Sequence, residues 1–210
     1  QQRKFRYIGM RVNTFTLRFS TAEGAATYSA GMIGQRADVL GGSYYSGTAV
    51  VPADASTILW RGWQCTLDGI NSGTTAQARM IDAEVTINRE VALVYTANGL
   101  QSATASWMGP LEVTARATFD YSADTEMDLF RNKTQGNFAF TLASGASSAT
   151  GYKALQFSFP KFDWGDGPAE INRSGVHQTL ALSGRGLYNR TGSNGPVIIN
   201  LSNARSNYST

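Results

Sequence analysis

Residues 108–142 read MGPLEVTARATFDYSADTEMDLFRNKTQGNFAFTL, and this stretch decides the fold class. Between Val113 and Tyr121 every second residue is apolar, and the residues between them are Thr, Arg, Thr and Asp. A period of two is typical of a β-strand that buries one face and exposes the other. The stretch therefore contains a predicted amphipathic strand.

A short helix is predicted directly after this strand. Asp124 can serve as its N-cap, and Glu126 and Asp128 place negative charge in its first turn. Gly136 is expected to end the helix, because glycine readily adopts the backbone conformation found at helix C-termini. From Phe138 the alternation of apolar and polar residues resumes, so a second strand follows.

Similar alternation recurs along the chain and predicts a protein built mainly of strands. The further predicted strands cover residues 7–20, 27–36, 59–70, 81–88, 155–160, 176–182 and 197–201. Gly-rich polar segments at 37–56 and 161–175 are predicted to be loops, and Gly109-Pro110 is predicted to lie in another. Long amphipathic strands with one short flanking α-helix are typical of a β-sandwich or partly closed barrel. We expect one such domain over residues 1–210, with an extended C-terminal tail at 189–210.

Composition argues against several function classes. The 210 residues carry a formal net charge of only +3, and aromatic and basic residues do not interleave as they do in proteins that stack single-stranded nucleic acid. Cys65 is the only cysteine, so no intramolecular disulfide can form. No segment is long and apolar enough to predict a membrane span.

Residues that could carry chemistry are few and scattered. His177 could act as a general base, but it falls on the face of a predicted strand. Asp163, Asp166 and Glu170 resemble a fragment of a calcium loop without the spacing of an EF-hand. The acidic residues between 120 and 128 could supply a carboxylate pair for glycoside hydrolysis, yet most of them suit a helix N-terminus. We therefore predict no catalytic, cofactor-binding or metal-binding residue.

The order and spacing of these elements resemble the major tail tube proteins of long-tailed bacteriophages and related tail-like particles. The resemblance is carried by residues 7–19, 31–34, 83–90, 109–142, 155–161 and 178–182. It implies a structural virion protein, without enzymatic activity or cofactor, that is a β-sandwich flanked by a helix. It also implies that six copies form a ring, that their inner sheets join into one barrel, and that stacked rings form the tube for DNA ejection.

The resemblance also implies the partners and location of the protein. The expected partners are other copies of the chain, the tape measure and terminator proteins of the tail, and double-stranded DNA that passes without specific binding. The expected location is the phage tail, assembled in the host cytoplasm, with no membrane contact. The loop at 37–56 and the C-terminal tail are expected to contact neighbouring rings.

A tube of this kind needs an inner sheet that is polar toward the channel and apolar toward the core. The predicted inner strands cover residues 11–20, 27–35, 79–90 and 112–121. The candidate lumen-facing residues are Thr14, Thr16, Arg18, Asp82, Glu84, Thr114, Arg116, Thr118 and Asp120. An outward solvent face is the alternative for each strand, and the mixed charges leave the sign of the lumen charge open.

A second hypothesis is a monomeric carbohydrate-binding β-sandwich or adhesin. That function would need exposed tryptophan rings to stack on sugars, and the candidates are Trp60, Trp63, Trp107 and Trp164. Tryptophans that are buried or lie at subunit interfaces would favour the tube.

Overall fold

The computed structural model describes residues 4–20, 26–40, 64–68, 80–97, 99–100, 102–122, 124–133, 135–143, 154–166, 169–174 and 177–202. In these ranges the strands are β1 (Lys4–Ile8), β2 (Arg11–Ser20), β3 (Thr27–Ile33), β4 (Arg36–Leu40), β5 (Gln64–Asp68), β6 (Met80–Val94), β7 (Ala105–Asp120), β8 (Gln135–Ala143), β9 (Ala154–Asp163), β10 (Ala169–Ser174), β11 (His177–Gly186) and β12 (Ile198–Ser202). Helix α1 (Thr125–Arg131) lies between β7 and β8, and a single 3-10 turn, Trp164–Asp166, follows β9. The predicted mainly β fold with one short helix is confirmed.

Ten of the strands form one antiparallel sheet that curls into two halves. The six-strand half has the order β3-β2-β6-β7-β11-β10, and the four-strand half has the order β5-β8-β9-β12. The halves join where Arg185 and Gly186 of β11 pair with Asp163 and Phe162 of β9. The result is a half-barrel, consistent with the predicted sandwich or partly closed barrel.

The core lies between the two halves. The six-strand half buries alternate residues of its central strands, namely Leu17, Phe19, Ala83, Val85, Val113, Ala115, Ala117, Phe119, Leu180 and Leu182. The four-strand half and the 3-10 turn contribute Phe138, Phe157, Phe159, Phe162 and Trp164. The alternation predicted from Val113 is thus confirmed through Phe119, while Tyr121 is only half-buried.

The N-terminal region is not the single long strand predicted over residues 7–20. The backbone turns at Gly9, whose φ of 67° is a conformation that glycine adopts at little cost. Strand β1 therefore leaves the main sheet and pairs with β4, which places Phe5 opposite Val39. Because β4 extends through Leu40, the predicted loop does not begin at residue 37, and its residues 41–56 lie outside the described part of the chain.

Two other segments that were predicted to be loops contain β-strands. Gly109-Pro110 lies inside β7 at a bulge, where the register shifts opposite Glu90. A bulge tolerates proline because its extra residue leaves the hydrogen-bond ladder. The segment 161–175 includes the end of β9 and all of β10, which pairs with β11. Strand β5 lies within the strand predicted over residues 59–70, and β12 is shifted by one residue from the strand predicted over residues 197–201. Residues 203–210 of the predicted tail lie outside the described ranges.

Helix α1 forms where it was predicted, but both of its ends differ. Asp124 occupies the N-cap position without a capping hydrogen bond from its side chain. Its carboxylate instead accepts a hydrogen bond from the Tyr121 hydroxyl, which raises the pKa of Tyr121 above its usual 10.0. The helix ends at Arg131, the left-handed turn falls at Lys133 with a φ of 49°, and Gly136 lies in β8 instead of ending the helix.

Candidate functional site

The nine residues predicted to line a lumen lie on one face of the six-strand half. The register places Arg18 opposite Glu84, Glu84 opposite Arg116 and Asp82 opposite Thr118. Directly opposite residues share a face, and so do residues two apart on one strand. The other members, Thr14, Thr16, Thr114 and Asp120, therefore belong to the same face, which we call the polar face.

The reverse side of the same strands is the core of the protein. Arg18 on β2 is exposed, while its neighbours Leu17 and Phe19 are 5% and 0% exposed. On β7, Arg116 is exposed between buried Ala115 and Ala117. One sheet thus has a solvated polar front and a packed apolar back, which is the arrangement that a channel wall requires.

The polar face includes β3, which was predicted to be an inner strand, and it continues onto β11 and β10, which were not predicted to contribute to it. Thr27 on β3 lies opposite Arg18. On the far side of the sheet, Ala181 of β11 lies opposite Thr118, and Glu170 of β10 lies opposite Ala181. In the sequence, the alternation of Glu and Asn with Ile and Arg indicates strand β10. This strand is short and lies between Gly-rich segments, so the whole segment was predicted to be a loop.

Opposite charges alternate across the polar face. Arg18, Glu84 and Arg116 follow one another on neighbouring strands, and such cross-strand pairs each contribute about 0.2–1 kcal/mol. Arg116 Nη2 also lies 3.4 Å from Glu170 Oε2, although both side chains are more than half exposed, so this pair adds little on its own. Thr16 Oγ1 and Thr86 Oγ1 lie 3.3 Å apart and link β2 to β6 on the same face.

The described residues give the polar face an excess of negative charge. Glu112 lies opposite Asn88, and Arg185 lies opposite Thr114, so both join the face although neither was a predicted member. Apart from Arg11 and Glu90, which lie next to register shifts, the carboxylates are Asp82, Glu84, Glu112, Asp120 and Glu170, and the guanidinium groups are Arg18, Arg116 and Arg185. A surface with more carboxylates than cations has no net attraction for a phosphate backbone.

The other acidic candidates have different environments. Asp124 accepts the Tyr121 hydrogen bond, Glu126 is 1% exposed, and Asp128 Oδ1 lies 3.7 Å from Arg131 Nη1. Asp120 belongs to the polar face on the preceding strand. The group therefore divides between the sheet, the helix cap, the core and the helix surface.

The residues that resemble a calcium-loop fragment also have separate partners. Asp163 accepts hydrogen bonds from Gln135 Nε2 at 2.7 Å and from the Gly165 N–H at 2.9 Å, while Glu170 lies beside Arg116. Across the ranges that the structure describes, no three His, Cys, Asp or Glu side chains are grouped to hold a metal ion. In the same ranges, no helix has the length and apolarity needed to cross a membrane.

The tryptophans have different environments. Trp164 is 3% exposed and packs edge-on against Phe138 and Phe162 at centroid distances of 5.1 and 4.7 Å. Trp107 on β7 is 69% exposed. Trp60 and Trp63 lie outside the described residues. His177 begins β11, and Cys65 lies in β5 opposite Leu142.

Comparison with models of protein families matches residues 1–184 to the family described as phage tail tube protein. The match spans β2, β3, β6, β7 and β10, which carry most of the polar face. A comparison with curated proteins finds no match.

Proposed function

The chain belongs to the phage tail tube protein family, and from this premise we propose that it polymerises into the conduit through which DNA leaves the virion. Six copies form a ring, and the rings stack into a tube. The protein is a structural component of the virion tail, and the premise gives no reason to expect enzymatic activity.

The polar face carries this proposal. It is a continuous wall of hydroxyl groups and alternating charges, and its reverse side is the hydrophobic core. In the tube, the polar faces of successive copies line the lumen. Their excess of carboxylates gives DNA no net attraction to the wall, so a duplex can pass without binding.

The β1–β4 ribbon supplies a contact surface between stacked rings. Phe5, Tyr7 and Val39 are 52%, 64% and 57% exposed, and they share one face of the ribbon. The other face carries the ion pairs of Asp38 with Arg6 and Arg36, each at 3.1 Å. A two-stranded ribbon with an exposed apolar face is marginally stable alone, so we assign that face to a copy in the adjacent ring.

Further partners follow from the same proposal. A tube of finite length needs a tape measure protein and a terminator, which contact the lumen and the end of the tube. Subunits assemble in the host cytoplasm before they reach the virion. Copies of the chain therefore remain the principal partner, and DNA is a transient one.

Carbohydrate binding remains a second candidate because of one observation. The Trp107 ring is exposed, as a stacking platform for a sugar would be. Trp164, another candidate platform, is part of the core. If Trp107 stacked on a sugar, adding the glycan would quench the fluorescence of Trp107. The tube predicts instead that the fluorescence of Trp107 changes on polymerisation.

Gold labelling of single cysteines tests the assignment of the polar face. In a Cys65→Ser background, Thr114→Cys on the polar face and Asn137→Cys, exposed on the four-strand half, each receive one maleimide gold label. We expect label density along the axis of tubes made from the Thr114→Cys protein and on the outer wall for the Asn137→Cys protein. Gold at residue 114 on the outside of the tube would refute the assignment.

A further inference from the structure

We propose that each copy in a ring completes the hydrophobic core of its neighbour, with the core side of β12 in one copy packed over the core side of β3 in the next. This inference rests on the proposed tube and adds a contact between faces of the two halves of the sheet. Three features of the single copy support it: two uncovered apolar faces, their positions on opposite flanks, and their lack of charge.

The hydrophobic core stops short of β3. Tyr28 of β3 lies directly opposite Leu17 of β2, so the two side chains share the core side of the sheet. Leu17 is buried, whereas Tyr28 is 75% exposed, although its ring stacks on that of half-buried Phe15 at a centroid distance of 6.3 Å. Met32, on the same face of β3, is more than half exposed. The part of the four-strand half that the structure describes therefore leaves the core side of β3 uncovered.

The four-strand half ends in the same way at β12. Ile199 lies directly opposite Phe157 of β9, and Leu201 lies directly opposite Leu155. Phe157 is buried, whereas Ile199 is about half exposed and Leu201 is 66% exposed. Burial of the core side is thus lost between β9 and β12, as it is between β2 and β3.

The two uncovered faces lie on opposite flanks of the copy. Strand β3 is the outermost strand of the six-strand half on one flank. Strand β12 lies on the other flank, where it pairs with β9 next to the joint between β9 and β11. Successive copies in a ring meet through unlike flanks. A rotation about the ring axis therefore brings β12 of one copy toward β3 of the next.

The two faces also lie toward the same end of the sheet. Strand β12 pairs with β9 beyond the joint at Arg185, in the direction of the end where β7 begins. Strands β2 and β7 run in the same direction, because both are antiparallel to β6, and β3 finishes beside the start of β2. Because a rotation leaves the height along the ring axis unchanged, the end of β3 that carries Met32 is the end that meets β12.

Neither face carries a charged side chain. Strand β3 reads TYSAGMI and β12 reads IINLS, whereas β10 carries Glu170 and Arg173. Large exposed apolar patches mark sites of association, and the centres of protein interfaces are depleted of charged residues. Packing β12 over β3 removes the apolar side chains of both strands from water. The partner that each face fits is therefore a second copy of this chain.

Complementary charges test this contact. Leu201→Glu on β12 and Met32→Lys on β3 would each bury an unpaired charge between copies. We expect each variant alone to need more than about tenfold more protein than the parent to polymerise. Both side chains are exposed in the single copy, so the monomers should unfold at the same urea concentration as the parent.

An equal mixture of the two variants should polymerise again. Alternation around a ring of six places the introduced carboxylate against the introduced ammonium at every second contact and leaves the remaining contacts as in the parent. Pelleted tubes should contain the two variants in equal amounts by mass spectrometry. The reversed pair, Leu201→Lys with Met32→Glu, should behave in the same way, and it replaces the first pair if either member of that pair unfolds earlier in urea than the parent.

Matched controls place the same charges on the opposite faces of the same strands. Asn200 lies opposite Gln156 on the outer face of β12, and Ser29 lies opposite Thr16 on the polar face. Asn200→Glu and Ser29→Lys should each form tubes at the concentration at which the parent does.

The outcomes separate this contact from the tube. If Leu201→Glu or Met32→Lys polymerises as readily as the parent, its face is not buried between copies, and the inference is wrong while the tube stands. Variants that fail alone and also fail as a mixture would show that the two faces do not meet, which overturns it as well. A parent protein that forms no tubes would instead contradict the proposed function. Polymerisation of the mixture alone supports packing of β12 over β3.

Discussion

Gly184→Ala is expected to be among the most destabilising single substitutions in this protein. Gly184 lies on β11 just before the residues that pair with β9, where the two halves of the sheet join. A Cβ atom there would lie 2.2 Å from the Asp163 carbonyl oxygen and 2.6 Å from Phe162 Cε1. The backbone is held by β7 and β9, so the clash must be relieved by distorting the joint. We expect a loss of about 3 kcal/mol in the free energy of unfolding.

Urea unfolding of the monomer measures this loss, and Gly136→Ala is the matched control. A Cβ at Gly136 in β8 would have no atom within 4 Å, so that substitution should change the free energy of unfolding by less than about 0.5 kcal/mol. Equal unfolding midpoints for the two alanine variants would show that the joint is not as tight as the structure indicates.

Phe159→Ala is expected to cost about 3–5 kcal/mol, because it opens a cavity in the centre of the core. The Phe159 ring is 0% exposed, and its centroid lies 5.3 Å from that of Phe138 and 5.1 Å from that of Phe162. These rings and Trp164 form one cluster between the two halves of the sheet, so removing the Phe159 ring takes one ring contact each from Phe138 and Phe162.

The same truncation at an exposed ring provides the control for Phe159→Ala. Phe5 on the β1–β4 ribbon is 52% exposed, and Phe5→Ala should leave monomer stability within about 0.5 kcal/mol of the parent. Thermal or urea unfolding distinguishes the two variants. If Phe159→Ala unfolds at the same urea concentration as Phe5→Ala, the aromatic cluster is not the core of the fold.

The strands with strict alternation were predictable from the sequence. The buried faces of β2, β6 and β7 follow from a period of two, and the same period placed nine polar residues on the opposite face. That these strands are neighbours, with Arg18 beside Glu84 and Glu84 beside Arg116, came only from the register. Alternation fixes which face a side chain occupies, whereas strand order depends on long-range packing.

The incorrect predictions at the N-terminal strand, the Gly109-Pro110 loop and the helix cap have local physical causes. The turn at Gly9 divides a stretch whose alternation alone does not reveal the break. Gly109-Pro110 has the composition of a loop, but a bulge accommodates both residues within β7. At the helix, the Asp124 side chain binds Tyr121, so N-cap preference correctly placed the start of α1 without giving the contact that the carboxylate makes.

Negative-stain electron microscopy of the purified protein at high concentration tests most directly whether this chain builds a tube. We expect hollow tubes, or stacked rings with six-fold symmetry, whose central channel is open. A monodisperse monomer at every concentration, with the fold intact by circular dichroism, would contradict the assembly of this chain into a tail tube.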